Sequence, residues 1–213
     1  MDRLRISGTD EAGRGCVIGP LAIATVVLSR KSARKLRALG AKDSKKLSPR
    51  RRGELAPIVK HLSRSFRLTL VAPALIDKYV LRSQKFKTLN KLEAEVIASH
   101  LAALRPRRAY LDSPYPDPRV FARMVRSGLP KHMRVQIMSE NKADENRIEV
   151  SCASILAKVS RDKAIADLNR AFGDFGSGYP SDVRTRAFLQ SVTRDSGIAQ
   201  HLRWSWKTWQ RLK

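Results

Sequence analysis

Nineteen acidic residues stand among 43 lysines and arginines, so the places where acids gather are informative. Asp10 and Glu11 are adjacent and are followed by Gly13, Arg14 and Gly15. Neighbours in a regular strand point to opposite faces. The glycines let the chain bend, so both acids can serve one site if the strand ends at Asp10. Asp112 closes a second predicted strand, in Tyr110-Leu111-Asp112-Ser113-Pro114, and Asp144 lies in a polar loop before a long apolar helix. Strand ends and loops at one edge of an α/β sheet are where sites gather. Carboxylates brought together repel, and must share protons or a cation. Oxygen-only ligands without a Cys or His cluster select a hard ion, Mg²⁺ or Mn²⁺. Two such ions ~4 Å apart can activate a water and stabilise the leaving oxygen of a phosphodiester. The same positions also suit a turn or cap role for Asp112 and a helix-entry role for Asp144.

The formal net charge is +24. Such a surface captures polyanions at long range, and phosphate neutralisation makes nucleic acid the expected partner. Residues 31–52 hold ten basic residues and one acid, Asp43. Lys45 and Lys46 are the candidates there for phosphate contacts, although such runs are also simply solvated. An acidic site in a basic surface is consistent with metal-assisted cleavage: the cations draw the backbone in, and metal ions cancel the local repulsion. A non-catalytic basic binding module is the alternative. Acids at a phosphate-binding surface weaken it unless a cation joins them. No apolar run approaches the ~20 residues that span a bilayer, so no membrane partner is expected. The opening residues are too charged for a signal peptide. Cys16 and Cys152 form neither a disulfide framework nor a zinc cluster, and suit buried filler. His61, His100, His132 and His201 form no zinc cluster either. These features fit a cytoplasmic protein, expected to be a monomer.

The elements that must position these residues alternate. Strands are predicted over 3–9, 21–28, 65–71, 108–111 and 134–139, and helices over 32–39, 50–62, 88–104, 117–126, 151–172 and 181–196. The segment 21–28 (LAIATVVL) has the continuous apolar character of a strand buried on both faces. The first half of 151–172 is apolar nearly all round, as in a buried helix. Interleaved strands and helices imply an α/β fold with a mixed sheet. All three tryptophans fall in the last thirteen residues. If these are helical, Leu202, Trp206 and Trp209 share one face, while Arg203, Lys207 and Arg211 line a neighbouring basic one.

The segment Asp10-Glu11-Ala12-Gly13-Arg14-Gly15 resembles the signature of type 2 ribonuclease H, ribonuclease HII. Other blocks follow in the family's order: Gly19-Pro20-Leu21, the run from Lys42 to Ser48, Tyr110-Leu111-Asp112, Asn141-Lys142-Ala143-Asp144, the helix from Val150 to Asp162, Gly176-Ser177-Gly178-Tyr179-Pro180-Ser181-Asp182, and Trp204-Ser205-Trp206-Lys207-Thr208. The last two resemble the archaeal branch. The resemblance implies an RNase H-like mixed sheet flanked by helices over 1–172, with a helical substrate-binding extension over 173–213 packed on it. It implies cleavage of RNA in RNA–DNA hybrids and incision 5′ to single ribonucleotides in duplex DNA, leaving 3′-hydroxyl and 5′-phosphate ends. Its metal-binding carboxylates fall on Asp10, Glu11, Asp112 and Asp144. Its ribose-reading element falls on Gly13, Arg14, Gly15 and Tyr179. Glycine lets backbone approach a sugar closely, the 2′-hydroxyl separates RNA from DNA, and Arg14 can grip a phosphate bidentately. Another RNase H-like nuclease that cuts DNA is the third reading; Gly13–Gly15 and Tyr179 argue against it. Cys152 stands where the family usually has alanine. The tail after Thr208 lacks the glutamine-and-paired-aromatics motif for binding a sliding clamp.

Overall fold

The computed structural model describes residues 5–42, 44, 46–81 and 88–211. Five strands form one mixed sheet in the order β3-β2-β1-β4-β5. Strand β1 (Ile6–Ala12) lies at its centre, antiparallel to β2 (Leu21–Leu28) and parallel to β4 (Arg108–Asp112). Strand β3 (Ser65–Val71) extends the antiparallel side and β5 (Gln136–Glu140) the parallel side.

Helices cover both faces, which is why all eight residues of β2 are buried. On one face Ala22, Ala24, Val26 and Leu28 pack with α1 (Arg30–Ala38), α2 (Pro49–Leu62) and α7 (Ile148–Phe172). On the other, Leu21 and Ile23 pack with α3 (Pro73–Leu81), α4 (Leu89–Leu104) and α5 (Pro118–Ser127). The first turns of α7 are buried all round, including Ile155 and Leu156. Each such side chain contributes about 1.5–3 kcal/mol. Close contact with β1 rests on Gly8: a Cβ there would lie 2.1 Å from the Glu149 carbonyl carbon.

A third apolar cluster joins Val17, Ile18 and Ile165 to Phe175, Leu189, Ile198 and Leu202. It seats the short helix α8 (Val183–Gln190), a 3₁₀ turn (Ala199–His201) and α9 (Thr208–Arg211) against the body. Among the described residues, no helix is long and apolar enough to cross a membrane.

Several boundaries differ from expectation. Strand β1 does not stop at Asp10 but runs on to Ala12, because β2 pairs with it through Ala12↔Ala22. Helix α7 begins at Ile148, directly after the single turn α6 (Ala143–Asn146). Helix α8 ends at Gln190 rather than 196, and α3 was not anticipated. The expected C-terminal helix is absent across 202–207. Leu202 instead pairs with Ile18 as an isolated bridge, and Arg203 is fully buried rather than on a basic face.

Candidate active site

The register of β1 decides where the first two acids point. Asp10 pairs with Ala24, on the α7 side of the sheet, and Glu11 with Ile23, on the α4 side. They therefore straddle the sheet, as regular alternation requires. The bend proposed from the glycines comes later, at Gly13, whose φ is +85°. The two acids still interact: the Glu11 amide donates to Asp10 Oδ1 at 2.8 Å. Paired residues of β1 and β4 stop at Thr9↔Leu111, so Asp10 and Asp112 face each other just past the end of that pairing, close enough for their charges to interact. Asp112 Oδ1 accepts from the Ala143 amide at 2.7 Å, which ties the end of β4 to the first residue of α6; Asp144, the next residue, is buried.

Burial pushes the Asp10 carboxyl well above its ordinary value, and the charges of Glu11 and Asp112 add to the push. Glu11 is pushed up to about 8 by loss of water and by Glu93, against the pull of Arg14. Glu93, on α4, is pushed up to about 7 by its burial, with Arg14 opposing. Crowded carboxylates of this kind hold protons unless a cation takes their place. The donor set is all oxygen, as a hard divalent ion requires. Among the described residues, no three Asp, Glu, His or Cys side chains are arranged to hold a metal ion; Asp112 Oδ1 is engaged with the Ala143 amide.

Asp10 is also tied to α7. It bonds the Ser154 hydroxyl, which accepts from Ser44 Oγ and Lys158 Nζ, both at 2.8 Å. Lys158 reaches Ser44 as well, at 2.7 Å. The lysine-rich loop is thereby anchored to the acidic edge through a buried serine. Lys46, in that loop, is exposed; Lys45 lies outside the described residues.

The glycine loop sits beside the acids and is held from three directions. The Val17 and Ile18 amides donate to the Gly178 carbonyl, and Gly19 N to His201 O. Arg203 donates to the Gly19 carbonyl from Nε and Nη2 and to the Arg14 carbonyl from Nη1, at 2.9–3.1 Å. Burial pulls its guanidinium down to about 10. Arg161 bonds Cys16 Sγ and the Ser177 carbonyl, and its guanidinium lies 4.7 Å over the Tyr179 ring. Tyr179 bonds the Gly13 backbone, and burial pushes its hydroxyl up to about 12. Gly15 is exposed next to that ring. The Arg161–Asp162 pair exists at 3.3 Å. Cys16 and Cys152 are buried free thiols.

Arg14 is not placed as a free phosphate grip. Its guanidinium is bound to Glu93 and Asn90. Sequence reading passed over Glu93, Asn90, Ser44, Ser154 and the roles of Lys158 and Arg203. The available signal was Glu93 itself, a charge on the apolar face between Leu92, Ala94 and Ile97.

The chain matches the family model described as Ribonuclease HII over residues 7–209. It is 41% identical to the ribonuclease HII of Thermofilum pendens over 98% of this chain and 99% of that one. The crystal structure of ribonuclease H2 from Pyrococcus horikoshii superposes with a TM-score of 0.86 at 38% identity, covering 98% and 97% of the two chains. The structure titled as the PCNA:RNase HII complex from Archaeoglobus fulgidus gives 0.84 at 41% identity, covering 96% of each. With matches of this extent, and with the acidic sheet edge beside a glycine loop, the chain belongs to the ribonuclease HII family and is a metal-dependent ribonuclease.

Proposed function

We propose that this protein hydrolyses the RNA strand of RNA–DNA hybrids and cuts 5′ to single ribonucleotides embedded in duplex DNA, leaving 3′-hydroxyl and 5′-phosphate ends. The observation that carries the reading is the juxtaposition of Asp10, Glu11 and Asp112 with the Gly13–Gly15 loop and Tyr179. Acids that would hold cations lie beside a backbone that can approach a sugar. Two Mg²⁺ or Mn²⁺ ions would be held by Asp10, Glu11, Asp112 and Asp144. When bound, such ions act as Lewis acids on water and on the leaving oxygen.

The chain's own residues do the rest. Ser154, itself held by Lys158, fixes the Asp10 carboxyl, so it is already aimed before substrate arrives. Gly15 leaves room for a ribose whose 2′-hydroxyl meets backbone groups. Tyr179, held under Arg161, offers a flat surface to a sugar or base. Lys45 and Lys46 supply phosphate contacts. Residues 173–213 act as a substrate-side extension that shapes the glycine loop. A monomer working in the cytoplasm completes the reading.

The test is a labelled duplex with one embedded ribonucleotide beside its all-DNA counterpart, with Mg²⁺, Mn²⁺ or EDTA. Cleavage of the ribose-containing strand alone, dependent on metal and lost in Asp10→Asn, is expected. Cleavage of both duplexes assigns a DNA nuclease instead, and a shift without cleavage assigns a binding module.

A further inference from the structure

Arg14 sits in the glycine loop, yet its guanidinium faces α4 rather than the open side. Nη1 donates to Glu93 Oε2 and Nη2 to Asn90 Oδ1. Asn90 and Glu93 are three residues apart on the first turns of α4, so their side chains stack on one face. Together they offer two oxygens to the two prongs of one planar fork, which fixes direction as well as distance. Glu93 is 2% exposed, and its second oxygen, Oε1, is buried with no hydrogen-bond partner among the described residues. A carboxylate in that position is costly unless something it holds repays it. Its neighbours along α4, Leu92, Ala94 and Ile97, belong to an apolar cluster.

The far side of the same residue is held too. The Arg14 carbonyl accepts from the buried Arg203 at 2.9 Å. Residue 14 is therefore gripped at its side chain by α4 and at its backbone by the C-terminal segment. The peptides on either side, toward Gly13 and Gly15, have little freedom left.

We propose that Glu93, seconded by Asn90, is a positioning residue. It pins Arg14 and thereby fixes the Gly13–Gly15 backbone that distinguishes a ribonucleotide from a deoxyribonucleotide. The inference rests on the function proposed above. It predicts a selectivity defect when the pin is drawn, because a loose loop meets a lone 2′-hydroxyl less often. Long hybrids, with a ribose at every register, suffer less.

A double-mutant cycle on the full chain tests it, using Glu93→Gln, Arg14→Gln and the double variant. Steady-state kcat/KM is measured on a duplex with one ribonucleotide and on a long RNA–DNA hybrid, with thermal melts alongside. Each single substitution is expected to lower kcat/KM about tenfold on the single-ribonucleotide duplex, and the double variant to fall no further. The loss on the hybrid is expected to be smaller. Losses that multiply in the double variant overturn the proposal, as do equal losses on both substrates with a matching drop in melting temperature. If Glu93→Gln does not fold, Asn90→Ala replaces it in the same cycle with the same criteria. A wild-type protein that cuts only the hybrid refutes the single-ribonucleotide reading, while the cycle measured on the hybrid still decides whether Glu93 acts through Arg14.

Discussion

Asp77 has no part in the chemistry, yet it should be among the costliest residues to remove. It lies on α3, is 9% exposed, and accepts three hydrogen bonds from one short piece of the C-terminal segment. Trp204 N donates to Oδ2 at 2.9 Å; Ser205 N and Oγ donate to Oδ1 at 3.1 and 2.6 Å. Hydrogen bonds to a charged group contribute roughly 1.5–3 kcal/mol each, and orphaned donors add their own desolvation cost. The three share one carboxylate, so a simple sum overstates the effect. Asp77→Ala is expected to cost roughly 3–5 kcal/mol. For a chain of this length each kcal/mol moves the midpoint by about 2–4 °C, so a fall of roughly 10 °C follows. Asp77→Asn keeps the shape but sets an amide N–H against the Trp204 N–H, and should fall between the two. The three tryptophans all lie in the tethered segment, so their emission reports its detachment while circular dichroism follows the whole fold. An Asp77→Ala variant melting within about 2 °C of wild type, with unshifted emission, would refute the tether.

Gly8→Ala should be worse, since the new Cβ would sit 2.1 and 2.2 Å from backbone atoms of Glu149 and Val150 that cannot swing aside; a loss of about 3 kcal/mol or more is expected in denaturant melts. His100 is buried between Thr25 and Thr69, and burial first, then Arg67, pulls it down to about 4. The unfolded ring takes a proton near 6.5 that the folded ring refuses, so roughly 3 kcal/mol of stability is lost as pH falls from 6.5 to 4; urea melts of wild type and His100→Leu across that window should differ in slope, and equal slopes would sink the idea. Glu11 runs the other way. Its folded carboxyl keeps its proton up to about 8, so in EDTA its contribution is full below pH 4.5 and is lost as pH rises through 8. Saturating Mg²⁺ or Glu11→Gln should flatten that part of the melting-temperature profile, and a profile unmoved by either would count against a cation site at Glu11.

The sheet was legible because its strands obey simple patterns. LAIATVVL is apolar at every position, and β2 is indeed covered on both faces. The long helix was legible for the same reason. Helix α3 was missed although Pro73 opens it, because Pro at the first helical position is a weak signal in so short an element. The C-terminal residues misled because helical spacing of tryptophans is only a pattern, and tertiary partners outweighed it. In place of the expected face of Leu202, Trp206 and Trp209, Leu202 bridges to Ile18 and Trp209 stacks on Trp204 at 4.4 Å. The alternation of Asp10 and Glu11 across a strand was readable from local sequence, but the point where that strand ends was not: β1 continues to Ala12. That depends on the exact end of pairing between β1 and β2, a long-range property. Arg14 shows the same limit: its type suggested a phosphate, while its partner lies 79 residues away.

The basic C-terminal segment has a use that charge counting hides. Arg203 is one of 43 cations, yet it is fully buried and spends its guanidinium on two backbone carbonyls, those of Arg14 and Gly19. Carbonyls in a turn rich in glycine have few partners of their own, and leaving them buried and unpaired is expensive. A distant arginine supplies several donors at once in fixed directions, which a lysine cannot match. Trp206 lies against that guanidinium at 5.0 Å, and Asp77 fixes the residues next to it. The order of dependence is therefore α3 to Asp77, Asp77 to Trp204 and Ser205, Arg203 to the glycine loop. A loop with no side-chain contacts of its own at Gly13 and Gly15 gains its shape from the opposite end of the chain, so, on the proposed function, loosening the tail should blur the discrimination of ribose before it unfolds the sheet.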